Sequence, residues 1–104
     1  MWIEWEMEIE FVDEKLGRVE ADPAYTAGLS QALVRAFRKR MQQMRAAVDE
    51  RDFYALRSLR FEKLSGARRH QHSMRLNDQY RVIVELRGKA SNKVIRIIGI
   101  EDYH

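Results

Sequence analysis

Ile3, Trp5, Met7, Ile9 and Phe11 alternate with Glu4, Glu6, Glu8 and Glu10 near the start of the chain. A period of two gives one apolar and one solvated face, so these residues predict a strand half-buried against a core. Four glutamates along one face repel one another. The pattern therefore also predicts a basic neighbour, or an edge position guarded by charge. Asp22-Pro23 marks a turn or a helix start. From about Thr26 the apolar positions take helical spacing: Leu29, Leu33, Phe37, Met41, Met44 and Val48. Thr26 and Ser30 are the possible N-caps, and Arg35, Arg38, Lys39 and Arg45 form a basic opposite side. A second, short helix is expected over residues 49–59, burying Phe53, Leu56 and Leu59, with Asp49 or Asp52 as its cap.

From Phe61 the period returns to two. Residues 61–64 read as a short strand, 65–69 as a basic turn, and 70–76 as the next strand, with Asn77-Asp78 a tight connection. In residues 80–86, Tyr80, Val82, Val84 and Leu86 fall on one face and Arg81, Ile83 and Glu85 on the other. After a turn at residues 88–92, residues 94–100 are apolar on both faces, which places that strand inside the sheet. The predicted order is β-α-α-β-β-β-β, an α+β fold with helices on one face of a mainly antiparallel sheet.

At 104 residues the chain is expected to form a single domain, residues 1–104. The absence of cysteine excludes disulfide scaffolds, thiol catalysis and Cys-ligated metal sites. No apolar run approaches the roughly 20 residues that span a bilayer, and no signal-like segment follows the start, so a soluble cytoplasmic protein is expected. The net charge is only +3, but its distribution is uneven. Residues 1–22 carry two basic and eight acidic side chains, whereas residues 23–76 carry twelve basic and four acidic. A basic middle suits a phosphate-rich partner, although solvated helix faces also collect arginine and lysine.

Without cysteine, chemistry must come from His, Tyr, Arg, Lys, Asp or Glu. His70 and His72, two apart on a predicted strand, share a face and could be half a metal site, but no third ligand is signalled. His72 also shares that face with Met74 and Leu76, which favours a packed residue. Tyr103-His104 taken alone reads as a frayed end. Held by an interior strand, it gathers an imidazole and a phenol in one place, and an imidazole exchanges protons near neutral pH. Arg81 on the preceding strand is placed to grip a phosphate, or simply to neutralise Asp102 or Glu85.

Three segments in order, 59–66 (LRFEKLSG), 72–84 (HSMRLNDQYRVIV) and 101–104 (EDYH), resemble the HigB toxins, the plasmid maintenance system killer branch of the RelE/ParE superfamily. The resemblance covers essentially the whole chain. It implies a RelE/ParE-like fold and the toxin of a type II toxin–antitoxin pair. It further implies a cytoplasmic, ribosome-dependent mRNA endoribonuclease working by transphosphorylation, without metal or cofactor. By motif, Arg81 is the expected phosphate clamp, His104 the general acid or base, and Tyr103 its positioning or proton-sharing partner. The implied partners are a HigA-like helix-turn-helix antitoxin and a ribosome with bound mRNA and rRNA, with operator DNA reached through the antitoxin and no membrane. The chain departs from the family where Ser65 replaces a lysine of the Leu-Lys-Gly motif, and where Glu62 stands in place of a histidine found in some members. Lys63, Arg68 and Arg69 are the candidates to compensate for the missing lysine, and Arg75 joins them as a candidate RNA-binding residue. The alternatives are a ParE-like toxin that inhibits gyrase by binding, which needs no terminal histidine, and a degenerate relative that only binds an antitoxin.

Overall fold

The computed structural model describes residues 7–48, 50–88 and 92–103. The glutamate-lined strand is present as β1 (Glu8–Phe11); the part of the alternating pattern before Met7 lies outside the described residues. After it come α1 (Glu14–Ala21), α2 (Gln31–Ala46), α3 (Arg51–Ala55) and a 3-10 turn at Arg57–Leu59. The rest of the chain is β2 (Glu62–Lys63), a 3-10 turn at Gly66–Arg68, β3 (Gln71–Arg75), β4 (Tyr80–Arg87) and β5 (Val94–Asp102). The sheet order is β1-β5-β4-β3-β2, with β1 parallel to β5 and every other pairing antiparallel. β1 is an edge strand, as the charge pattern predicts, and its basic neighbour is Arg96 of β5, 3.5 Å from Glu10. β5 lies between β1 and β4 and is interior, as its largely apolar sequence predicts.

One helix was not expected. In α1 the carboxylate of Asp13 accepts from the Lys15 amide, and Leu16 and Val19 are buried one turn apart. Gly17 hides this helix from a propensity reading, because glycine weakens a helix interior. The glycine is there for space: a Cβ at position 17 would sit 3.1 Å from the Phe11 ring. Asp22-Pro23 is the turn that follows, with Asp22 accepting from the Ala24 amide.

α2 starts later than Thr26. Ser30 is its N-cap, its hydroxyl accepting from the Leu33 amide, and the helix ends before Val48, which is exposed. The basic side of α2 is partly consumed within the fold. Arg38 donates to the carbonyls of Val19, Asp22, Pro23 and Tyr25, closing the end of α1, and Arg45 pairs with Glu20. The expected 49–59 helix is shorter, α3 followed by the first 3-10 turn. Phe53 and Leu59 are buried but Leu56 is exposed, Asp52 accepts from the Val48 amide, and Glu50 at the N-cap accepts from Lys93 through its carboxylate. Asp49 lies outside the described residues.

All three helices contribute to one face of the sheet. Val19, Phe37, Met41, Met44 and Phe53 form a core with Met74, Val82, Val84, Ile95 and Ile97, all fully excluded from solvent. The opposite face carries Ser73, Arg75, Arg81, Glu85, Arg96 and Glu101, the strand alternates of those core residues. Among the described residues, no helix is long and apolar enough to cross a membrane.

Candidate active site

The open face of the sheet holds a cavity, continuous with solvent, lined by Arg60, Glu62, Ser73, Arg75, Arg81 and Tyr103. Strand alternation supplies most of it. Ser73 and Arg75 flank the core residue Met74, and Arg81 precedes the core residue Val82, so all three point away from the helices. Arg60 and Glu62 flank the buried Phe61 in the same way, and Glu62 pairs directly with Ser73.

Alternation alone would misplace the end of β5. Ile97 faces the core, so in a regular strand residues 99 and 101 would face it too. The register shifts between Val84, paired with Ile97, and Ile83, paired with Gly99, leaving Ile98 as the extra residue of a bulge. A bulge re-aims the side chains beyond it. Here it turns Glu101 onto the open face opposite Arg81 and leaves Ile100 with the core.

Glu101 then sits between two guanidinium groups. Arg81 donates to it at 3.3 Å, and Arg68 forms a two-pronged pair with it, one bond at 3.1 Å. The hydrogen bond from Arg68, with its charge and that of Arg81, holds the Glu101 carboxyl below the usual carboxylate range despite partial burial. The same pairing raises the Arg68 pKa. Among the described residues the buried Arg81 Nε has no hydrogen-bond partner, and the guanidinium carbon lies 5.7 Å from the centre of the Tyr103 ring. A donor left in this way at the wall of a cavity suits an incoming oxyanion.

Tyr103 is fixed by main-chain bonds. Its hydroxyl donates to the Asn77 carbonyl at 2.9 Å and its amide to the Gln79 carbonyl at 3.0 Å. Arg75 also donates to the Asn77 carbonyl, at 3.3 Å, and pairs with Asp78. Behind the sheet Arg40 of α2, a buried cation, donates to the Arg75 carbonyl at 2.6 Å. Burial, and the charge of Arg75, lower the Arg40 pKa.

Of the residues expected at the site, Arg75, Arg81 and Tyr103 come together in the cavity, and Arg68 reaches it through Glu101. Arg69 ends the second 3-10 turn and is exposed. Lys63 is directed elsewhere. It pairs with His72, and His72 stacks on Phe61 on the helix side, so Lys63 lies on the face away from the cavity. His104 lies outside the described residues. Arg60, Glu62 and Ser73 were not singled out as site residues, although the buried Phe61 between two charged neighbours was a usable signal for the first two. Arg60 also adopts a left-handed backbone, φ 46°, where residues other than glycine are uncommon.

The two histidines do not share a face. His70 precedes β3 and lies 3.7 Å from Glu85 of the open face, whereas His72 packs toward the helices. Burial, and then the charge of Lys63, lower the His72 pKa against a smaller opposing effect from Glu50. Among the described residues no three His, Asp or Glu side chains converge.

A YoeB/ParE toxin from Agrobacterium tumefaciens has a similar structure, with a TM-score of 0.58 over 94% of this chain and 100% of that one, at 14% identity. That likeness establishes the fold, with its mostly antiparallel five-stranded sheet. No curated protein matches the chain. Residues 9–104 match the family model of the HigB-like toxins, described as the RelE-like toxin of the type II toxin–antitoxin system HigB. The sequence motifs, the sheet that carries them and this match over nearly the full length lead to one assignment: the chain belongs to the HigB-like toxins of type II toxin–antitoxin systems.

Proposed function

We propose that this toxin is a ribosome-dependent mRNA endoribonuclease. The observation that carries the reading is the cavity in which Arg60, Arg75 and Arg81 face Glu62 and Tyr103. A lining with three arginines and one glutamate suits a phosphodiester, and RNA brings its own nucleophile in the 2′-hydroxyl. No metal-bound water has to be generated. In the proposed step the 2′-oxygen attacks the adjacent phosphorus, the P–O5′ bond breaks, and a 2′,3′-cyclic phosphate and a 5′-hydroxyl result. The 2′-hydroxyl proton goes to a base on the cavity wall, for which Glu62 is in place, and the departing 5′-oxygen takes a proton from His104, next in sequence to Tyr103. Arg81 holds the phosphoryl oxygens, where charge builds up in the transition state. Aligning the 2′-oxygen with the leaving oxygen is the remaining task, and it falls to Arg75 and Tyr103.

As a type II toxin the chain has an antitoxin partner. We assign that partner to the HigA-like helix-turn-helix proteins, with operator DNA bound through it, and place the toxin's action on cytoplasmic ribosomes carrying mRNA. The test is primer extension on an mRNA under translation in vitro, comparing intact protein with a chain lacking His104. Discrete cuts that require ribosomes and weaken by about 10²–10⁴-fold in the truncation are expected. Equal cleavage by both proteins, or brisk cleavage of free RNA, refutes the reading.

A further inference from the structure

We propose that Asn77 is a positioning residue of the cavity, setting Tyr103 and Arg75 through a single carbonyl oxygen. The inference rests on the ribonuclease reading only for its effect on cleavage.

The connection between β3 and β4 is fixed from within by Asn77. Its side-chain oxygen accepts from the Gln79 amide at 2.9 Å and from the Tyr80 amide at 2.8 Å. These bonds set the direction of the Asn77 peptide, and asparagine is suited to such a turn because its short side chain reaches its own backbone two residues on. The main-chain oxygen of the same residue then accepts from the Tyr103 hydroxyl at 2.9 Å and from Arg75 Nε at 3.3 Å. Both donors line the cavity. Gln79, one step further along the turn, receives the Tyr103 amide at 3.0 Å on its carbonyl and donates its side-chain amide to Asp102 at 2.8 Å. The turn is therefore a template against which the last described residues of the chain are laid. A phenol and a guanidinium that share one acceptor move together when it moves. Both are partly exposed, Tyr103 at 39% and the Arg75 side chain at 36%, so packing alone does not fix them. Their placement depends on these hydrogen bonds, and a displacement of about 1 Å in such a group can cost about 10²-fold in rate.

The experiment pairs Asn77→Ala with Asn77→Asp in the full chain, read by amide hydrogen exchange and by cleavage of translated mRNA. Asparagine and aspartate present the same acceptor to the Gln79 and Tyr80 amides; alanine presents none. In Asn77→Ala the Tyr103 amide is expected to exchange about tenfold faster while the Val82 and Val84 amides keep their protection. Cleavage is expected to fall by about 10- to 100-fold, mainly in kcat. Asn77→Asp restores both. Unchanged Tyr103 exchange in Asn77→Ala overturns the proposal, as does an Asn77→Asp variant no better than the alanine. If the wild-type protein does not cleave but the exchange pattern holds, the positioning role stands and the ribonuclease reading falls. If Asn77→Ala loses protection at Val82 and Val84 as well, Tyr103→Phe takes its place, removing the hydroxyl that donates to the Asn77 carbonyl while leaving the turn intact. Faster exchange of the residue 103 amide over an intact core supports the proposal, whereas unchanged exchange overturns it.

Discussion

The two faces of the sheet are built from alternate residues of the same strands, yet their contents are opposite. On the helix side, Val82, Val84, Ile95 and Ile97 join Phe37, Met41 and Met44 in one core, each fully excluded from solvent. On the open side, Arg81, Glu85, Arg96 and Glu101 stand at the matching positions and form two ion pairs, Arg81 with Glu101 and Arg96 with Glu85. Stability and chemistry are thus segregated by side-chain parity. The helix face is held by non-directional burial, whereas the open face is held by hydrogen bonds whose geometry matters. Solvent-exposed ion pairs typically add only about 0–1 kcal/mol each, and these are partly covered, so the cost of losing one depends on whether its partner keeps another.

The largest expected effect comes from the buried face. Phe37→Ala removes a ring fully excluded from solvent and should cost about 3–5 kcal/mol. For a chain of this size that lowers the melting temperature by roughly 15–30 °C. At a temperature where the variant is still folded, activity per folded molecule should be retained. A specific activity that falls in step with Arg81→Ala would break the division between the faces.

Arg81→Ala is the reciprocal case. Glu101 keeps its two-pronged partner Arg68, so the carboxylate is not stranded. Cleavage of translated mRNA should drop by about 10²–10³-fold, the usual loss for one charge-stabilising donor, with the melting temperature shifted by only a few degrees. A large loss of stability with little loss of cleavage would show that the open face is structural after all.

A third, smaller effect concerns pH and separates the faces again. His72 belongs to the helix side, stacked on Phe61 with ring centres 4.7 Å apart and Nδ1 buried without a partner. Because its folded pKa lies below the ordinary value near 6.5, the unfolded chain binds the proton more readily. Stability from this site is complete above about pH 6.5 and is lost as pH falls toward the lower folded pKa. Glu101 and Glu85 also have lowered values. For Glu85, burial opposes ionisation but is outweighed by hydrogen bonds from Gln71 and Arg87 and by the charges of Arg87 and Arg96. Their contribution is present above about pH 4.5 and is lost below it. Melting temperatures should therefore fall in two steps on acidification. His72→Phe, which keeps the ring stack, should abolish the upper step and leave the lower one. A slope between pH 7 and 5 that survives in His72→Phe would assign that step elsewhere.

What the sequence disclosed follows the same division. The apolar periods of β4, β5 and α2 announced the helix face, because burial imposes a repeat on the residues that supply it. The motif residues Arg75, Arg81 and Tyr103 were legible through resemblance, and their strand positions made a shared face plausible. Three things were not legible. Gly17 hid α1, since its reason is the nearby Phe11 ring, a contact invisible in one dimension. The bulge at Ile98 left no mark on the period, because it falls within Ile97, Ile98, Gly99 and Ile100, four consecutive apolar residues in which a one-residue shift does not show. The separation of Lys63 from the cavity depends on which way a two-residue strand is turned, and Phe61, sequestered in the core, decides it.

The smallest effect is expected at Arg60, where backbone and side chain can be tested apart. Its φ of 46° and ψ of 56° lie in the left-handed region, which disfavours a side-chain-bearing residue by roughly 1–2 kcal/mol. Glycine adopts that conformation without the clash but gains freedom in the unfolded chain, and the two terms oppose each other. Arg60→Gly should therefore leave stability within about 1 kcal/mol of the parent. The cavity keeps its shape but loses a cation from one wall, so binding of RNA should weaken more than the chemical step, with KM rising and kcat nearly unchanged. Arg60→Ala loses the same cation without relieving the backbone and should be the less stable of the two by about 1 kcal/mol. If glycine and alanine variants melt together, the left-handed turn carries no strain. If both cleave like the parent, Arg60 belongs to the scaffold, and the phosphate is held by the β-strand arginines alone.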